Sequence, residues 1–296
     1  MKLVLVVNPF ATRVSEAAIA AVERELAAAA AVTTVRTERP RHATELVGDA
    51  CRSRSDAVVV FSGDGGYNEA LNGLHADVPI GFLPGGGTSV LSRALGLPND
   101  PTAAAAQIAE ALIERRTRRI TLGSVNGRRF AFSAGVGLDA EAVRRVDDMG
   151  RGADGRRPGD FAFARAVVGA LASNRGHLEP ALEVVGLGRA AFAFVANGSP
   201  YTYLGGIAVP LVPGAEFELG LDVVAPVRVR RRSLVRTAFR LLRGHPREGE
   251  VIVGHDLDRV ELVCDAPMPL QADGEDLGDV ERVVFEAQRG AIAVLA

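Results

Sequence analysis

Two stretches of this sequence put glycines where a bound anion would need them. The apolar run at residues 57–61 leads directly into Ser62-Gly63-Asp64-Gly65-Gly66, and a helical pattern over residues 67–74 follows. Glycine has no Cβ, so backbone N–H groups in such a turn approach an anion closely. The unsatisfied N–H groups and positive dipole end of the following helix add to the attraction. A second apolar run, residues 80–83, ends in Pro84-Gly85-Gly86-Gly87-Thr88-Ser89 and again opens a helix, with Thr88 or Ser89 placed to cap it. Phosphate binding is the chemistry these turns suit. Asp64 is the odd residue in that setting, because a carboxylate beside phosphates is repulsive unless a divalent cation or a proton works with it. It points to magnesium-nucleotide chemistry rather than simple anion capture, the plain alternative being a tight Asp-Gly turn. Far along the chain, Asp273-Gly274-Glu275 offers two more carboxylates, whose plain alternative is a polar turn between strands near Pro269 and Val283.

These residues need elements to hold them. Strand-like runs at 3–7, 57–61 and 80–83 alternate with helical patterns around 17–30 and 44–52, and further helical patterns follow at 89–95 and 101–115, separated by Gly96-Leu97-Pro98. That rhythm predicts an α/β domain with a mainly parallel sheet. Ligands of an open α/β sheet sit beyond the carboxyl ends of its strands, so both glycine turns and the Val7-Asn8-Pro9 strand end converge on one crevice. After about residue 120 the texture changes. Runs at 120–125, 128–134, 182–185, 191–196 and 219–224 read as strands between Gly, Pro and Asn turns, and Asn126-Gly127 is a hairpin signal. Helical insertions at 160–173 and 232–243 and a mobile Gly- and Arg-rich loop at 150–159 complete a β-rich second domain. The expected division is 1–120 for the nucleotide-binding α/β domain and 121–296 for a β-rich acceptor domain, with the last strand a candidate to return to the first.

With 296 residues, 48% of them hydrophobic, the chain has apolar material for two domains. A net charge of −2 gives no case for nucleic-acid binding. Two cysteines, Cys51 and Cys264, argue against a disulfide-stapled secreted fold and a thiolate zinc site. The start enters a strand pattern without signal-peptide features, and the apolar stretch at 17–32 is broken by Glu23, Arg24 and Glu25. A cytoplasmic setting is expected, with any membrane contact confined to the inner face. Arg228, Arg230, Arg231, Arg232, Arg236, Arg240, Arg243 and Arg247 surround a helical stretch with Leu234, Val235, Phe239 and Leu242 on it. This reads either as a solvated packing helix or as a surface for anionic lipid, each basic residue adding about 1 kcal/mol near the membrane.

The order of Asn8-Pro9, Ser62-Gly63-Asp64-Gly65 with Glu69, Leu83-Pro84 with Gly86-Gly87-Thr88, and Asp273-Gly274-Glu275 resembles the diacylglycerol kinase catalytic-domain family. That family includes bacterial lipid kinases and the sphingosine and ceramide kinases. The resemblance extends to Gly135-Val136-Gly137-Leu138-Asp139-Ala140, Asn197-Gly198, Gly205-Gly206 and Val209-Pro210, nearly the whole chain. It implies an N-terminal nucleotide-binding α/β domain, a C-terminal β-sandwich, and ATP with magnesium (Mg2+) in the cleft between them. Carried over by motif, Asn8, Pro9, Gly63, Asp64, Gly65, Gly66, Glu69, Gly85, Gly86, Gly87, Thr88 and Glu275 bind the nucleotide, with Asp64 and Glu275 the metal candidates. Asp273, Asp64 and Glu275 are the catalytic candidates. Asp273 is favoured as the base and Asp64 is its rival, because the sphingosine-kinase branch shares the Ser-Gly-Asp-Gly aspartate. The implied function is transfer of the γ-phosphate of ATP to a hydroxyl of a lipid such as diacylglycerol or a sphingoid base.

The chain also departs from the family. Gly66 stands where threonine is usual, and Thr88-Ser89-Val90 replaces a threonine-asparagine-aspartate stretch, removing an amide and a carboxylate. Glu218-Leu219-Gly220 replaces an aspartate pair that serves a structural magnesium, so that metal is not expected here. Two other readings stay open: a catalytically impaired nucleotide- or lipid-binding module, and an enzyme similar to NAD kinase, which shares a Gly-Asp-Gly loop and an ATP requirement. Phe161-Ala162-Phe163, Tyr201, Tyr203 and Leu204 read as ordinary core or as the wall of an acyl groove. Neither the acceptor lipid nor the oligomeric state is legible.

Overall fold

The computed structural model describes residues 1–75, 77–148, 169, 177–204, 207–209, 212, 214–230 and 249–296. The chain divides into two compact units, Met1–Leu122 with Arg289–Ala296, and Gly123–Gln288.

The first unit runs β1 (Lys2–Val7), α1 (Glu16–Ala27), β2 (Ala31–Arg36), α2 (His42–Arg52), β3 (Ala57–Ser62), α3 (Asp64–Gly73), β4 (Ile80–Pro84), α4 (Val90–Ala94), α5 (Pro101–Ile113) and most of β5 (Arg118–Val125). Its strands pair in parallel in the order β2-β1-β3-β4, and Val294 pairs in parallel with Ile80. β3 and β4 are buried at every position, as strands covered on both faces must be, whereas edge strand β2 is half-exposed throughout. Helix α1 buries Ile19, Val22 and Leu26, a stripe at three- and four-residue spacing, and Ser15 caps its start by accepting from the Ala18 amide at 3.2 Å. Helix α5 starts on Asp100, which accepts from the Ala103 amide at 2.8 Å, with Pro101 in the first turn. The α1 stripe, Ile108 and Leu112 of α5, and Leu5, Phe61 and Leu83 of the sheet form one core.

The second unit contains β6 (Arg128–Phe130), β7 (Ser133–Val136), α6 (Leu138–Asp148), β8 (His177–Leu178), β9 (Leu182–Val184), β10 (Gly188–Ala190), β11 (Ala193–Ala196), β12 (Thr202–Leu204), β13 (Ile207–Val209), β14 (Leu221–Pro226), β15 (Val229–Arg230), β16 (Val251–Leu257), β17 (Arg259–Ala272) and most of β18 (Glu275–Val294). Its pairings are antiparallel and include the path β16-β14-β11-β7-β17-β18. The two ends of β17 serve different partners: Leu270 to Ala272 pair with β7, and Leu262 to Cys264 with β9. The strands thereby wrap a β-sandwich core holding Phe130, Leu182, Val195, Val223, Leu262 and Phe285, with Phe130 and Phe285 meeting edge-to-face at 6.3 Å.

Two tight turns in this unit take the geometry their sequences demand. Asn126-Gly127 joins β5 to β6 with φ of 51° and 76°, and Asp273-Gly274 joins β17 to β18 with φ of 46° and 78°. Both are two-residue hairpins with positive φ at each central position, where Asn-Gly and Asp-Gly are the favoured pairs.

Three elements differ from the sequence reading. The run at 128–134 is two strands, broken at Ala131 and Phe132, whose amides turn to a side chain instead of a neighbouring strand. Helix α6 and edge strand β2 were not anticipated. The expected helix at 160–173 apart from residue 169, the expected helix at 232–243, the loop at 150–159, Phe161-Ala162-Phe163 and most of the arginine cluster lie outside the described residues. Among the described residues no helix is long and apolar enough to cross a membrane.

Candidate functional site

In the first unit the two glycine turns leave the carboxyl ends of neighbouring parallel strands, where Ser62 and Pro84 are register partners. They meet backbone to backbone. The Gly85 amide donates to the Ser62 carbonyl at 2.7 Å, and a Cβ built on Gly86 would stand 2.8 Å from Cα of Gly63. A Cβ on Gly85 would meet the Ser62 carbonyl oxygen at 2.9 Å, and one on Gly66 would meet Ser62 Oγ at 2.1 Å. Gly66, Gly85 and Gly86 are therefore required by the packing of the chain itself, and Gly63 gives Gly86 its room.

Gly65 and Gly87 are different. Both are exposed, neither has a positive φ, and a Cβ on either would meet nothing within 4 Å. Gly65 lies in the first turn of α3, whose N-cap Gly63 provides no side-chain bond. Alanine there would ordinarily be better by about 0.5–1 kcal/mol. Nothing within the described chain asks for bare backbone at these two positions, but an anion resting on the helix start would.

The β1 end joins the same cluster. Asn8 Nδ2 donates to Ser62 Oγ at 3.2 Å, and Asn8 Oδ1 accepts from the Phe10 amide at 3.0 Å. The Arg13 amide donates to the Gly85 carbonyl at 2.8 Å, while its guanidinium reaches Asn99 at 2.9 Å and the Gly87 carbonyl at 3.4 Å. Pro9 and Thr88 are half-buried beside these ties. Tyr67 pins α3 to β4 by donating its hydroxyl to the Leu83 carbonyl, and burial pushes its phenol well above the ordinary value.

Asp64 has a structural duty. Its two carboxylate oxygens accept from the Val90 and Leu91 amides, each at 3.0 Å, and so cap α4. The expectation that Thr88 or Ser89 caps this helix is corrected: Ser89 holds the N-cap position at φ 46° without a side-chain cap bond, and its Oγ exchanges bonds with Gly86. Glu69 plays a similar part for α2, accepting from the Ala43 amide at 3.3 Å where Arg41 offers no side-chain cap.

In the second unit Asp273 occupies the first central position of the β17–β18 turn. Its carboxylate accepts from the amides of Ala131, Phe132 and Ser133 at 2.7, 2.9 and 3.2 Å. Glu275, on the far side of the turn, pairs with Arg128 at 2.6 Å. Arg144 of α6 bridges Asp276 and Asp279 and holds the Asp276 carboxyl below its usual range. Asp139, only 3% exposed, accepts from the Tyr201 hydroxyl at 2.7 Å and from Nε2 of buried Gln271. Burial pushes the Asp139 carboxyl up to about 6, against the opposing pull of those two donors. Tyr201, considered for an acyl groove, is thus committed to Asp139 and rests its ring against Phe194 at 6.1 Å.

Sequence reasoning missed Arg13, Arg128 and Gln271 as site-shaping residues. Asp139 was visible only as part of a glycine-rich stretch. Among the described residues no group of three or more His, Cys, Asp and Glu side chains is set to hold a metal. Magnesium on a nucleotide asks less of a protein, typically one or two carboxylates with phosphates and water completing the shell. Bare backbone at Gly65 and Gly87 suits the phosphates of such a ligand.

Two family models divide the chain between them. The diacylglycerol kinase catalytic domain matches residues 2–125, and the YegS C-terminal NAD kinase beta sandwich-like domain matches residues 132–296. The chain belongs to the diacylglycerol kinase family. Within it, a diacylglycerol kinase of Bacillus subtilis is 34% identical over 119 residues, covering 37% of this chain and 38% of that protein. Human sphingosine kinase 2 is 32% identical over 116 residues, covering 32% of this chain and 16% of that protein. The chain spans about two-fifths of the length of the first curated relatives it matches. A crystal structure of a diacylglycerol kinase from Bacillus anthracis superposes with a TM-score of 0.72 at 20% identity, covering 99% of this chain and 96% of that one. At that identity the superposition speaks for the shared fold.

Proposed function

We propose that this protein is an ATP-dependent lipid kinase that transfers the γ-phosphate to a hydroxyl of a lipid such as diacylglycerol or a sphingoid base. The observation that carries the reading is the pair Gly65 and Gly87, exposed glycines for which nothing among the described residues requires glycine. Membership in the diacylglycerol kinase family, and relatives named diacylglycerol kinase and sphingosine kinase, supply the reaction class.

Phosphoryl transfer asks for positioning and charge neutralisation more than for covalent chemistry. The backbone amides of the two glycine turns bind the phosphates, with the uncapped start of α3 directed at them. Asn8 and Arg13 hold the neighbouring loop in place. Asp64 or Glu275 would hold the magnesium of the nucleotide together with its phosphates, and that ion would supply neutralisation of the charge on the transferred phosphate. Asp273 accepts the proton of the acceptor hydroxyl as the hydroxyl oxygen bonds to the γ-phosphorus and the bond from that phosphorus to the bridging oxygen breaks, releasing ADP; three backbone amides fix the orientation of the Asp273 carboxylate. Arg128 orients Glu275.

Two features favour other readings. Ser89 and Val90 leave the second glycine turn without an amide or a carboxylate, which suits a binding module without turnover. The β-sandwich matches a domain described as NAD kinase-like, which suits a dinucleotide acceptor. One experiment separates all three: incubation with γ-labelled ATP and magnesium in the presence of total lipid extract or of NAD. Label in a lipid, dependent on magnesium, is the expected result. Label in NAD alone would install the second alternative, and thermal stabilisation by lipid without any label the first.

A further inference from the structure

We infer that Asp139 and Gln271 form a positioning pair that sets the Asp273-Gly274 turn from the protein interior. The inference rests on the proposed kinase reading, in which Asp273 takes the acceptor's proton.

Asp139 is an expensive residue. It is 3% exposed, and among the described residues its carboxylate faces no cation, only the Tyr201 hydroxyl and the Gln271 amide. An ionisable group in that position costs stability unless its bonds do something an apolar residue would not. The chain also makes room for it: a Cβ on Gly135 would stand 2.7 Å from Asp139 Oδ2.

Its partner shows what the bonds do. Gln271 is 1% exposed and has an amide with two different ends. Ionised Asp139 can only accept, so it selects Nε2 and turns Oε1 the other way. There Oε1 accepts from the Gly274 amide at 2.8 Å, inside the turn that carries Asp273. Gln271 and Asp276 are register partners on either side of that turn, and the same helix that holds Asp139 reaches Asp276 through Arg144 at 2.9 Å. Helix α6 therefore grips the turn from a buried point on β17 and a half-buried point on β18. Asp139 and Gln271 touch no reacting atom here; they act through the backbone that presents Asp273. A displacement of even about 1 Å at a reacting group costs on the order of 100-fold in rate.

The test uses the full chain, combining lipid-kinase kinetics with hydrogen exchange at the Gly274 amide. Q271L is expected to lower kcat roughly 10- to 100-fold while the KM for ATP stays within about twofold, and to speed exchange at Gly274. D139N, whose side-chain oxygen can still accept from Gln271, should retain more activity than D139L. The double variant D139L/Q271L should be no slower than the worse single variant. Wild-type kcat in Q271L, or unaltered exchange at Gly274 in soluble, folded Q271L, would overturn the inference. A wild-type protein that labels no lipid would instead remove the kinase reading, while exchange at Gly274 still decides whether this pair holds the turn.

Discussion

At the scale of single residues, two kinds of position stand out, and each carries a prediction. Gly65 exposes bare backbone in a helical first turn with open space where a Cβ would go. Replacing it by alanine should raise unfolding stability by about 0.5–1 kcal/mol and weaken magnesium-ATP binding about tenfold or more through lost close contact with phosphate. Calorimetric titration paired with urea unfolding measures both, and a variant equally stable and equally avid would remove the phosphate role from this glycine. Asp139 predicts a pH dependence. Its folded-state value of about 6 lies above the ordinary 3.8, so its contribution to stability is full below pH 3.8 and lost as pH rises through about 6. Relative to D139N, which cannot ionise, wild-type stability should fall by roughly 2–3 kcal/mol between pH 3.5 and 7.5. A flat difference across that range would show that burial does not hold the acid back. The glycine turns were legible because their chemistry is written in consecutive residues. Asp139 was not, because its burial depends on α6 packing against β17 and on Gln271, 132 positions away.

At the scale of elements, local signals worked where local forces decide. Capped helices such as α1 and α5, fully buried strands β3 and β4, and the Asn126-Gly127 hairpin all formed where their sequences indicate. They failed where a distant side chain takes over. Asp273 draws three successive amides out of the run at 128–134, which splits it into β6 and β7. Asp64 caps α4 from 26 residues away, displacing the serine that proximity favours. Asp64→Ala should therefore destabilise the first unit by about 1 kcal/mol, detectable in chemical denaturation; unchanged stability would mean the cap is replaced. Strands β14 and β16 are also pinned by charge, through His255 Nδ1 against buried Asp222 at 2.9 Å. Asp222 raises the imidazole value, with Asp256 and Glu216 also facing it. A raised histidine stabilises the fold fully below its unfolded value and loses that contribution as pH rises through the folded one. The melting-temperature gap between wild type and H255N should be larger at pH 5.5 than at pH 8.5, and an equal gap would remove the ion pair from the account.

At the scale of the whole molecule, the rhythm of short apolar runs and helices revealed a parallel sheet followed by β structure, and both are present. The pairing of a 14-residue β17 with a 20-residue β18 was beyond reach, because register over that length, with its shifts, follows from side-chain packing that no local window contains. The proposed site residues are distributed in the same way. Glycine turns, Asn8 and Asp64 belong to the first unit, and Asp273, Glu275 and the α6 brace belong to the second. On the proposed reading, neutralising Asp273 lowers turnover and leaves nucleotide affinity unchanged. The most direct measurement is the initial rate of γ-phosphate transfer from ATP to lipid by Asp273→Asn beside wild type, with ATP binding measured on the same samples. The account predicts a rate about 100-fold lower or more at unchanged ATP affinity; a variant that phosphorylates lipid at the wild-type rate would contradict it.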